Sequence, residues 1–169
     1  MKRRDTLLLA AAAWTLPQLA RSAPAQTGQA VAWPAVTLLD GTRLEATQLR
    51  AQAAVVVFWT TTCPFCRRHN QHVEKLHRAA QAAGLPLRVL GVARERNAAA
   101  VRRFAQQQGY TFPITLDHAP LAAALSERNV IPLTAVVDRL GRLKQVLPGE
   151  MFEEDVLELL QLAQAGTRS

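Results

Sequence analysis

Residues 58–66 read FWTTTCPFC: an apolar pair, three threonines, then two cysteines separated by Pro64 and Phe65. These are the only cysteines in 169 residues, so their job decides how the rest is read. Three arrangements put two cysteines at this spacing: a working redox couple, half of a metal site, or a structural staple. Apolar residues make up 49% of the chain, enough for a core that holds without covalent help. A ring closed around two intervening residues also removes little chain entropy. The staple is the weakest of the three.

Upstream of the pair, 54–60 is an apolar, β-branched run, the pattern of a strand covered on both faces. Downstream, the spacing predicts a long helix over 64–83. Pro64 suits a first turn that needs no N–H, and Gly84 ends it. Phe65, His69, Val73, Leu76 and Ala80 share one stripe of that helix, which makes His69 a hydrogen-bonded packing residue rather than a ligand. Further out, 36–39 and 43–45 read as a hairpin about Asp40-Gly41, the dipeptide that supplies positive φ in a tight turn. A second buried strand covers 87–93, and Asn97 caps a helix that runs to Gly109. A strand over 112–116 and a short helix over 120–127 follow, and 133–137 pairs with 142–147. Phe152, Val156, Leu159, Leu160 and Ala163 predict one closing amphipathic helix. Strands alternating with helices, then a hairpin, imply an α/β fold: a central mixed sheet flanked by helices.

Residues 1–25 read as a cleaved export signal. Lys2, Arg3 and Arg4 form a charged start, an apolar stretch runs from Leu7 to Leu16, and Ala23-Pro24-Ala25 is a small-x-small cleavage site. The stretch is short and Pro17 interrupts it, which argues for cleavage over a permanent anchor, since a spanning helix needs about 20 apolar residues. An uncleaved membrane anchor is the alternative. Arg3-Arg4 followed by Leu7-Leu8 resembles a twin-arginine signal, although Thr6 stands where an aromatic or leucine is usual, and an ordinary charged start reads equally well. Residues 26–33 are expected to be a flexible junction, 34–165 the single domain and 166–169 a tail. The net charge of +7 includes four basic residues and Asp5 within the signal, so the mature chain keeps +4. No basic stripe with interleaved aromatics remains, which removes nucleic acid as a partner. Export implies an oxidising, periplasmic compartment, where a lone CxxC pair has its redox state managed.

A buried strand delivering a cysteine to a helix start has chemical meaning. The first turn of a helix carries unsatisfied N–H groups and a partial positive charge, and both favour thiolate over thiol. Cys63 should therefore attack, and Cys66, a turn deeper, should resolve the mixed disulfide. Arg67 and Arg68 either add to that stabilisation or are simply solvated.

Trp59, a three-residue spacer, Cys63-Pro64-Phe65-Cys66, and Ile131-Pro132 ahead of the last hairpin resemble a thioredoxin-fold protein. The N-terminal hairpin, the inserted helix and strand between Asn97 and Leu116, and the export signal resemble its TlpA/ResA-like branch. These are exported thiol–disulfide oxidoreductases, several tied to cytochrome c maturation. The resemblance implies that Pro132 is a cis-proline facing the disulfide and that the backbone of Ile131 pairs with substrate as an added strand. It implies protein thiols and disulfides as substrates, no cofactor beyond the Cys63–Cys66 couple, and a monomer. The chain departs from the family at Val57, where many relatives carry an Asp or Asn that could take the resolving thiol's proton. His69 and Gln71 stand where Glu and Pro are common. Glu95 is the candidate for the glutamate that the branch carries near its inserted helix.

Two rivals remain. A two-cysteine Cu(I) carrier is open, but a four-ligand site is not: from Cys63 to His72 a helix rises about 13 Å and turns to its opposite face. A peroxidase is suggested by Thr60-Thr61-Thr62-Cys63, but Val56 stands where such enzymes have proline, and Cys66 favours disulfide exchange. Direction follows from Pro64 and Phe65, which offer the Cys63 thiolate no side-chain donor. Its stabilisation then rests on the helix terminus, which places the pair nearer the reducing end of the range from about −120 mV to about −270 mV. A reductase working in an oxidising compartment needs a membrane thiol reductase to recharge it. The alternative is a disulfide-donating oxidase of the same fold.

Overall fold

The computed structural model describes residues 23–164; residues 1–22 of the expected export signal and the tail lie outside the described residues. Strand β3 (Ala53–Trp59) is the axis of the molecule, with all seven residues buried. Its apolar, β-branched sequence suits a position with neighbours on both edges and helices on both faces. It pairs in parallel with β4 (Leu87–Ala93), from Ala53 opposite Leu87 to Trp59 opposite Ala93. On its other edge it pairs antiparallel with β6 (Leu133–Val137). With β5 (Ile114–Thr115) and β7 (Leu143–Pro148) the five-stranded order is β5-β4-β3-β6-β7. The parallel β3–β4 pair requires a crossover, and α2 (Pro64–Ala82) supplies it.

Alternation along β3 divides the core into two layers. Val55, Val57 and Trp59 face α2, α3 (Ala98–Gln108) and α5 (Glu153–Glu158). Ala54, Val56 and Phe58 face α1 (Ala46–Arg50), α4 (His118–Leu125) and the N-terminal segment with Val31 and Trp33. Packing holds α2 in place: Val73, Leu76 and Ala80 are buried against the sheet. Truncating a buried leucine such as Leu76 costs about 2–5 kcal/mol. The Glu74–Arg78 ion pair one turn apart is worth about 0.3–0.5 kcal/mol in an exposed helix, so the apolar face decides the helix's position.

Several expectations hold in detail. Asn97 Oδ1 accepts from Ala100 N–H at 3.0 Å, and Gly109 ends α3 at φ 71°. β1 (Val36–Thr37) and β2 (Arg43–Leu44) form the small antiparallel hairpin, although Gly41 alone takes positive φ there while Asp40 accepts from Thr42 N–H.

Other expectations are corrected. Residues 26–33 are not a flexible junction. Gly28 N–H donates to Leu143 O, Leu143 N–H to Gln29 O and Val31 N–H to Gly141 O, so the segment docks against the start of β7 and the turn before it. Val31 and Trp33 bury their side chains there, and even Ala25 N–H donates to Ala124 O. The closing helix is two pieces, α5 and α6 (Gln161–Gln164), because i→i+3 bonds from Leu160 and Leu162 tighten the chain at 159–160. Phe152 caps the first piece and is 78% exposed, off the apolar face. The third strand shortens to two residues, and α1 had not been expected. Among the described residues no helix is long and apolar enough to cross a membrane.

Candidate active site

β3 ends at Trp59, three threonines turn the chain, and Cys63 becomes the N-cap of α2 with extended φ and ψ of −88° and 112°. Pro64 opens the helix. The backbone N–H of Cys66, one of the first-turn donors without an intrahelical partner, points at Cys63 Sγ at 3.1 Å. Both cysteines are free thiols. Cys63 is half-buried, whereas Cys66 is fully buried. Burial pushes the Cys66 thiol up to about 12, with its hydrogen bond to Cys63 adding in the same direction. The two sulfurs therefore differ: one reachable and held by a backbone donor, the other shielded and reluctant to ionise.

Neighbouring loops are pinned to this point from β4. Arg94 N–H donates to Trp59 O at 2.9 Å, continuing the strand pairing. The Arg94 guanidinium lies 5.2 Å over the Phe58 ring and donates to Asn129 Oδ1 at 2.9 Å and Arg128 O at 3.0 Å. Glu95 accepts from Thr61 N–H at 2.5 Å and so fixes the loop that leads into Cys63. The sequence singled out Glu95 and missed Arg94, whose partners lie about 35 residues away.

The Ile131–Pro132 bond is cis. Phe58 pairs with Leu133 in the sheet, so Pro132 stands at the same end of the sheet from which the cysteine loop departs. Pro132 is buried and its carbonyl accepts from Gly149 N–H at 2.8 Å. Ile131 is half-buried and packs against the core cluster that holds Cys66.

His69 is fully buried and works as a packing residue with two partners. Nδ1 accepts from Met151 N–H at 3.3 Å, so the ring proton sits on Nε2 and is donated to Thr134 Oγ1 at 3.0 Å. Burial, and then the nearby His72, hold its pKa down to about 4. Both ring nitrogens are engaged, and among the described residues no group of three or more His, Cys, Asp and Glu could hold a metal. Val57 lies in the core opposite Thr134 and Gly91, with no proton-accepting group of its own.

Phe65, although on the helix stripe by spacing, is 56% exposed, while Cys66 beside it in the same turn is fully buried. Arg68 lies 5.0 Å over its ring and makes a two-pronged bond to Glu150 at 2.8 and 2.7 Å. Arg68 is therefore neither simply solvated nor free to act on Cys63 alone. Behind Cys66, Trp59, Phe104, Tyr110 and Phe112 form a contiguous aromatic cluster.

The profile of the Redoxin family matches residues 26–160. The thiol–disulfide oxidoreductase ResA of Geobacillus thermodenitrificans is 28% identical over 123 residues, covering 73% of this chain and 70% of the relative. Among solved structures, a secreted thiol–disulfide isomerase from Corynebacterium glutamicum is similar at 27% identity and a TM-score of 0.68, covering 77% of this chain and 83% of that one. A thiol:disulfide interchange protein of the thioredoxin family from Chlorobium tepidum shares the fold at 21% identity and a TM-score of 0.71, over 83% of this chain and 99% of that one.

Proposed function

Since this chain belongs to the Redoxin family and has the thioredoxin fold of a TlpA/ResA-like protein, we propose that it is an exported reductase of protein disulfides. Its activity is that of a thioredoxin-like thiol–disulfide oxidoreductase. The observation that carries the finer reading is the asymmetry of the pair. Cys63 is reachable and held by the Cys66 N–H, while Cys66 is fully buried. Cys63 attacks a substrate disulfide, and Cys66 then displaces the substrate thiol and closes the Cys63–Cys66 disulfide. No cofactor is needed, because the cysteine pair carries both electrons. The backbone at Ile131, beside Pro132, receives the substrate segment as an added strand.

The reducing direction is supported by the donors around Cys63. The donors that reach its sulfur are a backbone N–H at a helix start and the Cys66 thiol, and Pro64 and Phe65 bring no donor in their side chains. Weak stabilisation of the reduced thiolate goes with a reducing couple. In the periplasm such a monomer depends on a membrane thiol reductase for recharging, and reduction of cytochrome c-type thiols before haem attachment is a task of matching chemistry. Equilibration with glutathione tests the direction. The expected potential lies nearer about −270 mV than about −120 mV, and a value above about −160 mV would make the protein a disulfide donor instead.

A further inference from the structure

Asn70 lies one helical turn beyond Cys66 on α2 and is fully buried. Residues four apart on a helix share a face, so Asn70 lies on the same side of α2 as Cys66. It sits beside the Tyr110 hydroxyl, whose acidity it affects, yet neither Nδ2 nor Oδ1 has a partner at hydrogen-bond distance among the described residues. Tyr110 is itself buried, stands edge-on to Trp59 with ring centroids 6.0 Å apart, and donates to Arg67 O at 3.2 Å. A buried amide with donors and acceptor both idle is costly, and such groups in folded proteins generally have a partner in some working state.

Cys66 changes state during the reaction. Its thiol loses a proton and its sulfur attacks Cys63 Sγ in the mixed disulfide. The Cys63–Cys66 bond forms as the bond from Cys63 to the substrate sulfur breaks, and the substrate leaves as a thiolate that takes up a proton. For that moment a negative charge lies in a buried site, favoured there by a backbone hydrogen bond from Thr60, while Val57 of β3 carries no donor in its side chain.

We propose that Asn70, with Tyr110 bounding its niche, is a positioning residue for Cys66: its idle amide N–H groups, directly or through one bound water, meet the sulfur's charge in the resolving step. This rests on the assignment of Cys63 as attacker and Cys66 as resolver. The other charged and titratable groups near the niche have separate tasks. Glu74 is held by Thr111 N–H and Oγ1, Phe112 N–H and Arg78. Arg94 holds the 128–129 loop, and its charge also acts on Cys66. Arg67 lends its carbonyl to Tyr110, and Cys63 is the reaction partner.

The test reacts reduced protein with oxidised glutathione, quenches with acid at intervals, and follows the Cys63–glutathione adduct by mass spectrometry across pH. In Cys66→Ser the adduct persists. In the unsubstituted protein it decays quickly. In Asn70→Leu it should decay about tenfold more slowly near neutral pH, the loss of a hydrogen bond to a charged group, with the gap closing as pH rises and Cys66 ionises unaided. Tyr110→Phe, which removes a single oxygen, should slow decay in the same direction. If Cys66→Ser holds no glutathione on Cys63, the assignment of roles fails. If it does, and Asn70→Leu and Tyr110→Phe resolve the adduct as fast as the unsubstituted protein at every pH, this inference alone is overturned. Asn70 is then a mere unsatisfied amide, and its replacement by leucine leaves stability unchanged or raised.

Discussion

Acidifying the protein from pH 7 to pH 4 should cost it stability mainly through His69. In the folded chain its imidazole is fully buried and neutral, with Nδ1 accepting from Met151 N–H and Nε2–H donating to Thr134 Oγ1. A second proton would have to displace the Met151 donor and bring a charge into the core. Burial and His72 therefore hold the pKa down to about 4 from an ordinary 6.5, with Glu150 pulling weakly the other way. In this pH interval the unfolded chain binds a proton that the folded chain refuses. The stabilisation is thus complete above pH 6.5 and is lost as pH falls toward 4. At about 1.4 kcal/mol per pH unit, the interval is worth about 3 kcal/mol. His77, also lowered by burial, acts in the same sense, and carboxylates with lowered pKa such as Glu74 lose their contribution at still lower pH. The assay is urea unfolding at half-unit steps from pH 7.5 to 4, for the unsubstituted protein and His69→Gln. Glutamine offers a donor and an acceptor but does not titrate. The unsubstituted protein should lose about 3 kcal/mol more than the variant across the interval. Parallel profiles would refute the reasoning, since they would mean that His69 titrates normally in the folded state.

Two further outcomes follow from close contacts. A Cβ added at Gly91 would meet Phe112 Cε2 at 2.7 Å and Trp59 Nε1 at 3.1 Å, inside the aromatic cluster behind Cys66. Gly91→Ala should therefore destabilise by about 1–3 kcal/mol, seen as a lower urea midpoint with unchanged slope, and an unshifted midpoint would show that the two rings give way freely. Glu95→Ala leaves Thr61 N–H without its acceptor. Amide exchange at Thr61 should then speed up by about tenfold or more, and unchanged protection would mean that the loop is fixed by something else.

How much of this was legible in advance depended on where each residue's partners lie. β3, the N-cap at Asn97 and the stop at Gly109 involve neighbours within a few positions, so composition and spacing were enough to find them. The cysteine pair was legible for the same reason: its chemistry is set by the first turn of its own helix. The docking of 26–33 was not, because its backbone bonds run to 141–143, more than 100 residues away, and a stretch with only two large apolar residues, Val31 and Trp33, looks like a linker until that partner is known. The break at 159–160 was hidden because apolar spacing continues across it. His69 was legible as a packing residue from its stripe, but Thr134 and Met151 were not, nor were Arg94's contacts with 128–129. Asn70 carried a signal that could have been used, a polar residue four positions beyond Cys66 on the buried side of an amphipathic helix.

The two loops that frame the cysteine pair are set by consecutive residues of one strand end, and this explains how they are held in a fixed geometry. Arg94 grips the loop that leads to Ile131-Pro132, and Glu95 grips the loop that leads to Cys63. Successive residues of an extended chain point to opposite sides, so adjacent positions can reach two different loops without competing. Their placement follows from the seven-residue register between β3 and β4, which brings Arg94 N–H onto Trp59 O. A slip of one residue would exchange the two sides and aim a cation at Thr61 N–H and a carboxylate at the carbonyl of Arg128. Both contacts would then be repulsive. The spacing of Cys63, Cys66 and the Ile131-Pro132 segment is thereby tied to the pairing of the central strand, while Cys63 itself stays only half-buried.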